Sequence, residues 1–200
     1  MNSTPWWASE NLWRKFAIWI TAFMLLVLIV LTFDSVAKII AGKGAVPAYG
    51  VINQRIYYRF DGERKKEVPV IGDQAPLFGQ LLSEEDAHAL VSKGKMTVQA
   101  KNCMNCHTLL GNGAYYAPDL TKAWLDQGWG TESAREMLMM MFLQDPGANA
   151  RTFGTNRRMP DLGITEDEAR GVIAFLKWMS GIDTNGFPRN FKPIAQEGDQ

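Results

Sequence analysis

Cys103-Met104-Asn105-Cys106-His107 is the stretch on which the reading of this chain turns. It spells C-x-x-C-H, the pattern that attaches a c-type haem. Two thiols add to the two haem vinyl groups, and the following imidazole becomes an axial iron ligand. Two intervening residues make about one helical turn, so both sulfurs reach one edge of the macrocycle while His107 lies beneath it. The chain has only two cysteines and two histidines. A tetrahedral zinc site needs four ligands, which that inventory cannot supply. A thioredoxin-like disulfide would need a βαβ pattern, and none surrounds the motif. Covalent haem c, one per chain, is the expected cofactor.

Upstream, Phe16 to Phe33 carries no charge, and its only polar residues are Thr21 and Thr32. Eighteen such residues in a helix span about 27 Å, close to the ~30 Å hydrocarbon core. Trp6, Trp7 and Trp13 precede it at headgroup level. The apolar run exceeds a signal-peptide core, so it reads as an uncleaved single-pass anchor in membrane lipid. Arg14 and Lys15 before it are balanced by Lys38 and Lys43 after it, which silences the positive-inside rule. Thioether attachment is completed outside the cytoplasm. The haem domain is therefore expected to face the periplasm or its equivalent. Lys plus Arg equal Asp plus Glu at 21 each, so net charge offers no argument for nucleic acid.

Residues 42–82 read as a linker or insertion, a spacer or docking surface with a short hairpin. Arg55–Phe60 is one strand, Asp61-Gly62 a turn signal and Glu67–Ile71 a returning strand. Pro69 suits an edge. Ala75–Gly79 reads as an extended apolar segment laid onto another surface.

From residue 83 the pattern turns helical. Ser83 caps a helix whose first turn holds Glu84, Glu85 and Asp86. Ala87, Leu90, Val91 and Val98 recur at helical spacing, and Gly94 marks a break or a close helix contact. Thr131–Leu143 is a second helix, stopped at Asp145-Pro146-Gly147. Thr165 and Glu168 form a capping box for a last helix, with Ala169, Val172, Ile173, Leu176 and Met179 as its stripe and Gly181 as its end. The expected architecture is mainly α: residues 1–41 as cytoplasmic terminus and anchor, 42–82 as insertion, and 83–200 as a small class I-like cytochrome c domain with a C-terminal tail.

Met159 is the expected sixth iron ligand. It lies in Arg157-Arg158-Met159-Pro160, 52 residues after His107 and just before the last helix. A loop there can fold over the distal haem face, and Pro160 stiffens it. His/Met ligation raises the potential and closes the iron to substrate. The chain thus reads as an electron carrier, not a catalyst. His88 lies on the wrong side of the motif, and Met137, Met139, Met140 and Met141 read as packing. Arg157 and Arg158 adjoin the ligand and suit a haem propionate or a partner carboxylate.

The run from Cys103 through His107-Thr-Leu-Leu-Gly-Asn-Gly-Ala-Tyr-Tyr-Ala-Pro-Asp-Leu120 resembles the cytochrome c subunit of bacterial nitric oxide reductase. So do Arg157-Arg158-Met159-Pro160, Phe175–Trp178 and Ile182–Asn185. The resemblance covers the anchor and residues from about 83 to 190; the 42–82 segment departs from it. It implies electron uptake from a soluble periplasmic cytochrome c or cupredoxin. It implies transfer to haem b of a multi-span catalytic subunit, where haem b3 and a non-haem iron convert two NO to N2O. It also implies an interface calcium held partly by backbone carbonyls, matching Gly113 and Tyr115. The rival readings are a haem c subunit of a terminal oxygen reductase, a free membrane-anchored shuttle and a gas or redox sensor.

Overall fold

The computed structural model of the protein describes residues 5–149 and 157–189; residues 1–4 and the tail at 190–200 lie outside the described residues. Helix α1, Glu10–Ile39, holds the apolar run and buries none of it within the protein. Thirty residues of helix reach about 45 Å, enough to cross a bilayer and its headgroup layers. The helix fits a single-pass membrane anchor.

Strands β1 (Gln54–Asp61) and β2 (Lys66–Gln74) form the expected hairpin, antiparallel and somewhat longer than the strand patterns indicate. The Asp61 carboxylate accepts from the backbone N–H groups of Glu63 and Arg64, which shapes the turn. Tyr58 faces Pro69, whose missing N–H is harmless in a two-stranded sheet.

The haem-motif half begins with α2, Glu84–Ala100, capped as expected by the Ser83 hydroxyl accepting from Asp86 N–H. Next come the short strands β3 (Thr108–Leu109) and β4 (Asn112–Gly113), then α3 (Glu132–Gln144) and the single turn α4 (Pro146–Asn149). Helix α5, Glu166–Ser180, starts in the full Thr165/Glu168 capping box. Gly181 ends it at φ −80, not in the left-handed region that its position after the helix suggests. Its small size serves packing instead, with Pro47 and Ile56 lying 3.3 and 3.6 Å from where a Cβ would stand.

Helices α2 and α5 cross at Gly94 and Gly171. A Cβ on Gly94 would overlap the Gly171 carbonyl, and one on Gly171 would lie 2.9 Å from Gly94 N. Two bare backbones are what allow this approach.

The segment read as a spacer is packed into the same core. Val51, Ile52, Ile56, Tyr58 and Leu77 are buried with Ala87, Val91, Ile173 and Met179. Burying an Ile or Leu contributes roughly 1.5–3 kcal/mol, so Ile52 and Leu77 make this segment core, not tether. Polar contacts follow the packing. The Tyr58 hydroxyl donates to Ser180 O at 2.8 Å, Trp178 Nε1 to Pro47 O, and Glu84 accepts from Tyr49 and Gly50 N–H. Arg64 pairs with Asp183 at 2.7 Å. Helix α5 is consequently buried on nearly every side from Gly171 to Gly181, beyond the single stripe that its sequence displays. The extended segment at 75–79 does lie on another surface: Leu77 is 1% exposed, and Lys177 donates to Ala75 O.

Candidate haem site

At its C-terminus α2 passes through Lys101 into Asn102, whose left-handed backbone (φ 56, ψ 34) turns the chain out of the helix. Asparagine tolerates that conformation better than most residues. Cys103–Asn105 then forms one tight 3-10 turn, closed by Cys106 N–H and His107 N–H donating to Cys103 O at 3.2 and 2.9 Å. Both thiols are free. Burial raises the pKa of the Cys103 thiol, and neighbouring Cys106 adds to the effect against a local backbone hydrogen bond.

The β3–β4 hairpin folds back under this turn. Ala114 N–H donates to Met104 O and Ala117 N–H to Cys106 O. Its two-residue turn, Leu110-Gly111, has φ of 49 and 83, the left-handed pair such short hairpins need. Gly113, at φ +118, passes so close beneath the His107 carbonyl that a Cβ would overlap it.

A cavity of about 400 Å³ opens beside the motif, lined by Cys103, Cys106, His107 and Met159. Leu120, Ala123, Trp129, Phe142 and Leu162 supply apolar walls, and Tyr115, Tyr116, Arg157 and Arg158 also line it. His107 Nδ1 lies 2.7 Å from Pro118 O. A carbonyl only accepts, so Nδ1 carries the proton and Nε2 keeps a lone pair for a metal. Two unpaired thiols, an oriented imidazole and a thioether around one mostly apolar cavity fit a covalent haem.

The other expected residues fall as follows. Arg157 donates from Nη1 to Tyr116 O at 2.7 Å and lies over the Tyr116 ring, so it already ties the Met159 segment to the haem loop. Arg158 is exposed on the cavity lining. Gly113 and Tyr115 are exposed, Tyr115 at 79%. His88 is outside the cavity and packs on Tyr49. Met139 is buried in the core, whereas Met137 and Met141 are exposed.

Several neighbours escape sequence reading. Pro118 is visible only as a Pro 11 residues past His107, with no hint that its carbonyl meets the ring. Lys122, Arg135 and Lys177 are buried cations. Lys122 lies 3.6 Å over the Tyr58 ring, while Arg135 and Lys177 flank Trp124. Burial holds both lysines down to about 8, and it lowers Arg135 too. The one signal was Lys177 standing between apolar neighbours on α5.

Residues 91–180 match the family model for cytochrome c. The chain is 36% identical over 114 residues to the C subunit of nitric oxide reductase from Stutzerimonas stutzeri, covering 56% of this chain and 74% of that protein. It is also 36% identical to the proteins of the same name from Halomonas halodenitrificans and Paracoccus denitrificans. Those matches cover 49% and 50% of this chain and 64% and 65% of the relatives.

Proposed function

The chain belongs to the family of nitric oxide reductase C subunits, and from that membership we propose that it is the haem c electron-transfer subunit of a membrane nitric oxide reductase. In this reading it accepts electrons from a soluble periplasmic cytochrome c or cupredoxin. It delivers them to haem b of a multi-span catalytic subunit, whose haem b3 and non-haem iron reduce NO to N2O. The observation that carries the proposal is one cavity lined by Cys103, Cys106, His107 and Met159.

A bound haem c supplies a one-electron carrier. The chain's own residues do the rest. Cys103 and Cys106 would hold the group by thioether bonds, His107 and Met159 would ligate its iron, and the Pro118 carbonyl fixes the imidazole tautomer. With both of those ligands in place the iron would have no open position for substrate, which suits an electron carrier whose active centre lies in the partner. Trp129 and Phe142 keep water from one wall, meeting edge to face at 5.6 Å. Arg157 and Arg158 serve a propionate or a partner carboxylate. Gly113 and Tyr115 lie on the exposed surface a partner can reach, where their carbonyls would help hold an interface calcium. Helix α1 anchors the chain once in the bacterial inner membrane, with the haem domain in the periplasm.

The test is purification of the tagged full-length chain in mild detergent, followed by NO and O2 consumption with a reduced donor. NO consumption with a co-purifying haem b subunit is the expected result. Oxygen consumption without NO turnover would overturn it in favour of a terminal oxygen reductase. An isolated, inert chain would turn the reading toward a shuttle or a sensor.

A further inference from the structure

Met159 sits in a segment, 157–164, that has no helix or strand to hold it. Its N-terminal end is tied by Arg157 to Tyr116 O. The other end, where Ile164 is buried in the core, also receives one side chain from the opposite side of the haem motif. Lys101 Nζ lies 3.1 Å from Leu162 O, 3.0 Å from Gly163 O and 3.6 Å from the Glu168 carboxylate.

We infer that Lys101 is a positioning residue for the sixth ligand, clamping the Met159 segment to the turn that carries Cys103; the inference rests on the reading of Met159 as that ligand. An ammonium has three donors, and two of them find carbonyl acceptors on the segment, while the charge pairs at 3.6 Å with the Glu168 carboxylate of the capping box behind it. Gly163, at φ +58, and the Asp161 carboxylate that accepts from Gly163 N–H shape the turn. Successive carbonyls at 162 and 163 thereby meet one cation. Lys101 itself is the C-cap residue of α2, two positions before Cys103, so its backbone is rigid and registered to the haem attachment point. Its side chain is only 24% exposed, where a solvated lysine would extend into water. It also lines the cavity.

The consequence is chemical. An iron–thioether bond is weak, and its occupancy depends on how tightly the protein holds the sulfur in reach. Release of the clamp leaves the segment held by Arg157 at one end and by the packing of Leu162 and Ile164 at the other, with no polar tie from the haem-motif side. Met159 then leaves the iron more often, while the thioether-bound haem stays.

The experiment uses the full-length haem-loaded chain in detergent, as wild type, Lys101→Met, Lys101→Arg and Met159→Ala. It reads the affinity of the ferric haem for imidazole, the sulfur-to-iron charge-transfer band and the urea midpoint. Loss of the two hydrogen bonds from the ammonium predicts about tenfold or more tighter imidazole binding in Lys101→Met. Lys101→Arg, which keeps charge and donors, should return most of the way to wild type. Unchanged imidazole affinity in Lys101→Met with a lowered urea midpoint would make Lys101 merely structural and overturn the inference. Should Met159→Ala keep the charge-transfer band, the ligand reading itself fails and the inference falls with it. If Lys101→Met yields no haem-loaded protein, Lys101→Gln is measured in the same way against the same criteria.

Discussion

Gly94 on α2 and Gly171 on α5 touch backbone to backbone, with no room for a Cβ on Gly94 against the Gly171 carbonyl. This crossing sets the angle at which α2 delivers Cys103 and α5 carries the core, so the haem cavity depends on it. Gly94→Ala is expected to cost at least the upper end of the ~1–3 kcal/mol typical of overpacking, because rigid backbone and not a mobile side chain stands in the way. Gly171→Ala meets Gly94 N at 2.9 Å and Cα at 3.2 Å and should cost less. Urea midpoints of the two haem-loaded variants check the order; equal midpoints would contradict it.

Met159→Ala should abolish the His/Met spectrum while haem remains covalently attached through Cys103 and Cys106. Visible spectroscopy and a denaturing gel stained for haem separate the two effects. A retained sulfur-to-iron band would remove Met159 from the ligand set.

Tyr58→Phe deletes the buried donor to Ser180 O and Ile182 O but keeps the ring against Lys122. The expected loss is about 0.5–1.5 kcal/mol, with the haem spectrum unchanged. A destabilisation near zero would mean that the hairpin is held by packing alone.

Stability should rise with pH between about 8 and 10. Burial lowers the Lys122 and Lys177 ammonium groups to about 8, opposed by Asp183, Glu67 and Asp119 at the first and by Glu136 and Glu132 at the second. In the unfolded chain lysine titrates near ~10.4. Below about 8 both states are protonated and the burial cost is fully present. Across the window the unfolded chain binds more protons, so the folded state gains. Above about 10 the trend turns, because burial raises Tyr58 above the range in which an unfolded tyrosine ionises. Urea midpoints at about pH 7, 8.5 and 9.5 check the sign. Lys177→Met should flatten part of the rise, and a fall across the window would reject the assignment.

Leu110 is an exposed leucine held at φ 49. A left-handed conformation costs such a residue roughly 1–2 kcal/mol. Leu110→Gly should therefore stabilise the protein, or at worst leave it unchanged given the looser unfolded chain. A clear loss in the denaturation midpoint would show that the leucine makes a contact worth more than its strain.

What the sequence determined by itself was local chemistry and local ends of structure. C-x-x-C-H needs only five neighbouring residues, and the Ser83 cap and Thr165/Glu168 box need four each, so short spacing carries them completely. The anchor is equally local, since eighteen uncharged residues fill a membrane whatever follows them. Tertiary structure decided what covers what. Periodicity marked one stripe on α5, but only the fold laid residues 45–82 over its other faces, through pairs such as Tyr58 and Ser180 that lie 122 positions apart. The same distance in sequence hid the burial of Lys122 and Lys177, the Pro118 carbonyl on His107 and the reach of Lys101 to 162 and 163. A side chain's hydrogen-bonding partner or its desolvation is a property of neighbours in space, and no local pattern records those.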